Sequence, residues 1–128
     1  QHSEVGHQGR RPRMTLAPSS FPRDAYAYAV NQAGHAYLVG VPAALSLAWL
    51  GMLAPLAVAA IYAVAWELGY QRWRWPDRFD WRDSFEDTVH VLTGAAVISA
   101  AVAGELVWAW ECLAAQFVLL GVGVWRRQ

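Results

Sequence analysis

A run of 31 residues without any charged side chain, residues 36–66, constrains the fold of this chain more than any other feature. One helix crosses the hydrocarbon core of a bilayer with roughly 20 apolar residues, so the run is too long for a single crossing. Gly51 and Pro55 lie near its middle, where they favour a turn followed by the first turn of a new helix. The sequence therefore predicts a short hairpin of two transmembrane helices, over about 35–50 and 55–70.

The chain is apolar again from residue 88 to residue 125, where only Glu105 and Glu111 are charged. A single helix over residues 84–125 would be roughly 60 Å long, about twice the thickness of the hydrocarbon core. We therefore expect a reversal near Gly104 and a second hairpin. Its two predicted spans are about 84–103 and 106–125.

All ten basic residues are arginines, and they lie in three segments outside the apolar runs. They are Arg10, Arg11, Arg13 and Arg23 before the first span, Arg72, Arg74, Arg78 and Arg82 between the second and third, and Arg126 and Arg127 at the end. Four crossings place all of them on one side, and the positive-inside rule assigns that side to the cytoplasm. The prediction is a protein of a bacterial inner membrane with both termini cytoplasmic, whereas three crossings would separate the last two arginines from the other eight.

The composition favours the same class, since 56% of the residues are hydrophobic and 16% are charged. The predicted fold class is an all-α integral membrane bundle of four transmembrane helices, with residues 1–22 as a flexible polar tail and residues 23–128 as a single transmembrane domain. Arginines alternate with acidic residues and the net charge is zero, which does not favour a nucleic-acid partner. The expected partners are the lipid bilayer and other membrane subunits.

The connection between the two hairpins is rich in arginine, aspartate and tryptophan, and the sequence predicts a loop on the membrane surface over residues 71–83. Ser84 or Asp83 is predicted to cap the third helix, because an acidic residue follows three positions later, just before an apolar run.

Polar residues near the predicted cytoplasmic ends of the first three spans form the candidate site. Asp83, Asp87, His90 and Gly94 share one helical face by their spacing, and Glu67 and Gln71 share another. Ionisable groups at membrane depth are costly unless they face protein or water, so we expect these side chains to meet. The predicted metal ligands, for zinc or manganese, are His35, Glu67, Asp87 and His90, with Asn31, Gln32, Gln71 and Asp83 as supporting polar residues.

A structural interpretation competes with the metal site. The two histidines would then hydrogen-bond Glu67 and Asp87 and hold three helices together, and clustered ionisable groups are more often structural than catalytic. Asp83 alone is more often a helix cap than a catalyst. If the cluster supports chemistry, Glu67 or Asp87 would be the base and a histidine the ligand or proton carrier.

Three segments together resemble the VanZ-like family of small bacterial membrane proteins. They are Asn31-Gln32-Ala33-Gly34-His35, Trp66-Glu67-Leu68-Gly69-Tyr70-Gln71, and Asp83 to His90 followed by Gly94, within residues 31–100. The resemblance implies a helical membrane fold with a polar site at these positions, and proteins of this family are associated with glycopeptide resistance. Where the family usually has asparagine, this chain has His90.

Two functions of different classes follow from these predictions. In the first, the His and carboxylate cluster at the cytoplasmic face binds a metal ion or a lipid headgroup, with enzymatic turnover left open. In the second, the chain is a non-catalytic accessory subunit of a larger membrane complex, including a phage-encoded membrane protein or a subunit of a pigment or respiratory assembly.

Overall fold

The computed structural model describes residues 23–128, and the predicted tail over residues 1–22 lies outside them. In the described part of the chain every regular element is helical, and four helical segments form a bundle. Helix α1 (residues 25–46) joins Ala25–Ala33, a π-helical stretch Gly34–Gly40 and Val41–Ser46, and helix α2 (residues 54–74) joins Ala54–Ile61, a π-helical stretch Tyr62–Gln71 and Arg72–Arg74. Helix α3 is Trp81–Val102 and helix α4 is Leu106–Trp125.

Helix α1 begins ten residues before the predicted span. Asp24 caps it, since the side-chain carboxylate accepts a hydrogen bond from the backbone N–H of Ala27 at 2.8 Å. Gly34 has helical backbone angles, with φ −58° and ψ −48°, so the chain continues without a break into the apolar part. The predicted span starts later because the polar residues Asn31, Gln32 and His35 interrupt the apolar sequence.

Both predicted reversals are confirmed. Gly51 adopts φ 57° and ψ −132° inside the 3₁₀ segment Ala48–Leu53, a conformation that only glycine adopts readily, and Pro55 follows in the first turn of α2. Gly104 has φ 81°. Its N–H donates to the carbonyl of Ala101 at 3.1 Å and the N–H of Glu105 donates to that of Ala100 at 2.9 Å, the two bonds of a Schellman motif that ends α3.

The predicted cap of α3 and the predicted loop are corrected. Asp80 caps the helix from an extended conformation, and its carboxylate accepts from the N–H of Arg82 at 2.9 Å. Asp83 and Ser84 therefore lie in the first turns of α3, where both are buried. Gln71 is still helical, so the connection is shorter than residues 71–83 and contains only the 3₁₀ turn Pro76–Arg78.

Helix α3 packs against the other three helices and forms the centre of the bundle. Ala44, Val58, Tyr62, Val91 and Ala95 form its hydrophobic core. Small residues allow α1 and α3 to approach closely, because a Cβ on Gly94 would overlap the backbone of Ala36. Gly94 thus serves close helix packing.

Three helical segments in residues 23–128 are long and apolar enough to cross a membrane: Ala48–Arg74, which comprises the 3₁₀ turn and α2, Trp81–Val102 and Leu106–Trp125. Helix α1 carries Asn31, Gln32 and His35, which lower its hydropathy, and it is not one of the three. Large apolar side chains remain exposed around the bundle, including Trp49 at 79% and Trp110 at 70%, as a lipid-facing surface requires. The part of the chain that the structure describes is thus an all-helical bundle with three membrane-compatible helices.

Candidate functional site

A buried hydrogen-bonded network, here called the polar centre, connects α1, α2 and α3. Its members are Gln32, His35, Tyr62, Glu67, Gln71, Ser84 and Asp87. Asp87 receives two contacts from α1, one on each carboxylate oxygen. Nε2 of Gln32 donates to Oδ1 at 2.6 Å, and Nε2 of His35 lies 3.2 Å from Oδ2.

Glu67 receives three donors from α2 and α3. The hydroxyl of Tyr62 and the amide of Gln71 donate to Oε1 at 2.6 and 3.0 Å, and the hydroxyl of Ser84 donates to Oε2 at 2.7 Å. The side chain is 2% exposed. These bonds replace the water that a carboxylate loses on burial, which is the condition for placing it there.

Tyr62 joins the two carboxylates through His35. Its hydroxyl has one proton, which goes to Glu67, so the hydroxyl oxygen accepts from Nδ1 of His35 at 3.1 Å. Nε2 of the same ring faces Asp87 at 3.2 Å. With Nδ1 and Nε2 both acting as donors, the group of Asp87, His35, Tyr62 and Glu67 holds one proton more than a neutral imidazole and two carboxylates.

The π-helical stretch of α2 explains the position of Tyr62. Tyr62 and Glu67 are five residues apart, a spacing that separates two side chains on an α-helix but brings them together where the helix widens to i→i+5 bonding. Glu67 and Gln71 share a face as predicted, and they are hydrogen-bonded. The α-helical periodicity used on the sequence could not associate Tyr62 with Glu67.

His90 lies in a second cluster, formed by Tyr28, His90, Thr93 and Gln116. Nδ1 of His90 is 2.9 Å from Nε2 of Gln116, and Nε2 is 3.4 Å from the hydroxyl of Tyr28. The hydroxyl of Thr93 shares its one proton between Oε1 of Gln116 and the backbone carbonyl of His90. The cluster joins α3 to α4 and to the start of α1, so His90 and His35 have different partners.

The polar centre and the neighbouring Asp83 together are acidic. Glu67, Asp83 and Asp87 are all buried, at 2%, 8% and 5% exposed. Within residues 23–128 the ion pair found for these carboxylates is that of Asp87 with the imidazole of His35, which is charged only when both of its nitrogens are protonated. Gln32 is fully buried, and its Oε1 has no hydrogen-bond partner in the described part of the chain.

The structure therefore brings together most of the predicted site. His35, Glu67 and Asp87 belong to the polar centre with Gln32 and Gln71, and Asp83 is buried on the same face of α3 as Asp87. Asn31 is half-buried and outside the network. No group of three or more His, Cys, Asp or Glu side chains in residues 23–128 is arranged to hold a metal ion.

Sequence reasoning missed Ser84 as a ligand of Glu67, and it missed Tyr28, Tyr62, Thr93 and Gln116. Gln116 carried a readable signal, because it is the one amide side chain in the apolar run of residues 112–125. Tyr28 carried none, since tyrosines at the ends of membrane helices are common for reasons of their own. Tyr62 carried none either, because its spacing of five residues from Glu67 predicts no contact on an α-helix.

Comparison of this chain with family models, with curated proteins and with solved structures finds no match. The resemblance to VanZ-like proteins therefore stays a prediction from the three sequence segments.

Proposed function

We propose that the chain is a small multi-pass protein of a bacterial cytoplasmic membrane, similar to VanZ-like proteins, whose polar centre binds a cation. The cation in this proposal is a proton shared along Asp87, His35, Tyr62 and Glu67. The centre then acts as a proton donor and acceptor at the cytoplasmic end of the bundle. The position of the Tyr62 hydroxyl carries the proposal: it lies 2.6 Å from Oε1 of Glu67 and 3.1 Å from Nδ1 of His35, and its single proton can serve only one of these two contacts.

The hydrogen bonds allow the proton to move between groups while the total number of protons in the network stays the same. In one state both nitrogens of His35 are protonated and both carboxylates are ionised. If the Nδ1 proton passes to Tyr62 while the Tyr62 proton passes to Glu67, the ring becomes neutral and Glu67 becomes a carboxylic acid. Chains of Asp, Glu and His side chains of this kind are typical of proton relays in membrane proteins.

Burial supports a cation of some kind in this place. Three carboxylates with one imidazole partner leave an excess of negative charge in surroundings that solvate it poorly. The same acidity disfavours the lipid phosphate among the ligands predicted for this cluster. Zinc or manganese is the other cation compatible with the donor set, and it would require side chains of the polar centre to reorient.

Two spectroscopic measurements on the purified protein at neutral pH test the proposal. ¹⁵N NMR of labelled histidine reports whether both nitrogens of His35 are protonated, and infrared spectroscopy reports a protonated carboxyl group. We expect one of the two signals in the unaltered protein. Asp87→Asn should abolish it, and Glu105→Gln should not, because Glu105 is exposed at the turn between α3 and α4.

Elemental analysis of the same samples separates the proton from a metal. If the protein contains stoichiometric zinc or manganese that is lost in Asp87→Asn and kept in His90→Ala, the cation bound by the polar centre is a metal ion and not a proton. If His35 is neutral, both carboxylates are ionised and no metal is present, the polar centre binds neither a shared proton nor a metal ion, and the proposal is wrong. The network would then only hold three helices together, and the accessory-subunit function predicted from the sequence would be favoured.

A further inference from the structure

A crevice of about 380 Å³ opens between α3 and α4 at the end of the bundle where α3 begins and α4 ends. Phe85 and Val89 of α3 form one wall, and Leu119 and Val122 of α4 form the other. Phe85 is 70% exposed and Val122 is 41% exposed, so the crevice is open along its length. Its volume lies in the range of ordinary ligand pockets.

Arginines surround the entrance. Arg82 lies in the first turn of α3 and Arg126 directly after α4, and both line the crevice. Glu86, between them, pairs with Arg82 at 3.1 Å and with Arg127 at 3.2 Å. The crevice is thus lined by two arginines and one carboxylate, and no ion pair of Arg126 is found within residues 23–128.

We propose that this crevice binds an anionic phospholipid, with the phosphate at Arg82 and Arg126 and an acyl chain between the walls of α3 and α4. The basic entrance complements a phosphodiester, and the apolar walls complement a hydrocarbon chain. A ligand that matches both the entrance and the walls therefore has an anionic part and an apolar part. Anionic lipids attract basic residues at a membrane surface. The inference needs only that the bundle lies in a membrane, and it is independent of cation binding in the polar centre.

Native mass spectrometry of the purified protein, mixed with phosphatidylglycerol or with phosphatidylcholine of identical chains, tests the proposal. We expect one phosphatidylglycerol to remain bound in preference to phosphatidylcholine. The double variant R82Q/R126Q should bind it about tenfold more weakly. R74Q/R78Q is the matched control: it removes the same charge from two exposed arginines that do not line the crevice, and it should bind as the unaltered protein does.

The apolar half needs a variant of its own. Val122→Trp, or Leu119→Trp if the first does not fold, fills the crevice and keeps every arginine, so it should also release the lipid. Circular dichroism checks that each variant keeps its helices. If R82Q/R126Q and R74Q/R78Q lose the same amount of bound phosphatidylglycerol, the lipid is held by general attraction to the basic surface and the proposal is wrong.

Other occupants give different results. If inorganic phosphate displaces phosphatidylglycerol and the affinity does not depend on the acyl chains, the crevice is a simple anion site and the lipid proposal is wrong. A change from a dimer to a monomer in Val122→Trp, without bound lipid in any sample, would identify a second copy of the chain as the occupant.

Discussion

Single positions in the core of the bundle determine how closely its helices approach. Gly94 of α3 lies against the backbone of Ala36 in α1, and Gly40 of α1 lies against the backbone carbonyl of Val91 in α3. Close contact of the two backbones brings Gln32 and His35 within reach of Asp87. The geometry of the polar centre thus depends on residues that carry no functional group.

Gly94→Ala is expected to lower the free energy of unfolding by about 1–3 kcal/mol, because the added methyl group overlaps the carbonyl of Ala36 and the two helices must move apart. Unfolding in detergent micelles, followed by circular dichroism, measures the change. Gly121→Ala is the control: its Cβ meets nothing within 4 Å, and it lies in a helix, so it should leave stability unchanged or raise it. Equal effects of the two substitutions would contradict the close packing.

At the scale of elements, the ends of the helices decide which side chains enter the site. Asp80, not Ser84, caps α3, and the helix therefore starts early enough to bury Asp83 and Ser84 in its first turns. Ser84 is then free to donate to Glu67. The π-helical stretch of α2 likewise allows Tyr62 to donate to Glu67. The sequence missed Ser84 and Tyr62 because each contact depends on local helix geometry, the start of α3 in one case and the wider turn of α2 in the other.

Asp80→Ala should weaken the first turn of α3 by about 1 kcal/mol, since it removes the acceptor of the Arg82 N–H. Amide hydrogen exchange measured by mass spectrometry should be faster in the peptide that contains Arg82 and Asp83. Asp77→Ala, which changes an exposed carboxylate in the preceding turn, serves as the control and should leave this exchange unchanged. If amide exchange is unchanged in Asp80→Ala as well as in Asp77→Ala, Asp80 does not cap α3.

At the scale of the whole molecule, the number of crossings is the main open prediction. Three helices meet the length and hydropathy of a membrane span, and α1 packs against α3 and α4 as a fourth helix that carries part of the polar centre. A fourth crossing by α1 keeps the arginines of both ends on one side.

Cysteine labelling in intact bacterial cells measures that topology. In a Cys112→Ser background, Met52→Cys places a thiol in the turn between α1 and α2, where Met52 is 48% exposed, and Asp77→Cys places one in the turn before α3. Four crossings predict that a membrane-impermeant maleimide labels the first from outside and not the second. Labelling of both turns from the same side would contradict the hairpin in the membrane.

The sequence by itself determined the helical class, the two glycine reversals and the shared faces of Asp87 with His90 and of Glu67 with Gln71. Each of these follows from local rules: apolar run length, the backbone freedom of glycine and helical periodicity. Only the tertiary structure decided that His35 contacts Asp87 while His90 contacts Gln116 instead. The choice depends on the rotation of each helix about its axis and on the width of the π-helical turns, and both are set by packing between segments distant in the chain.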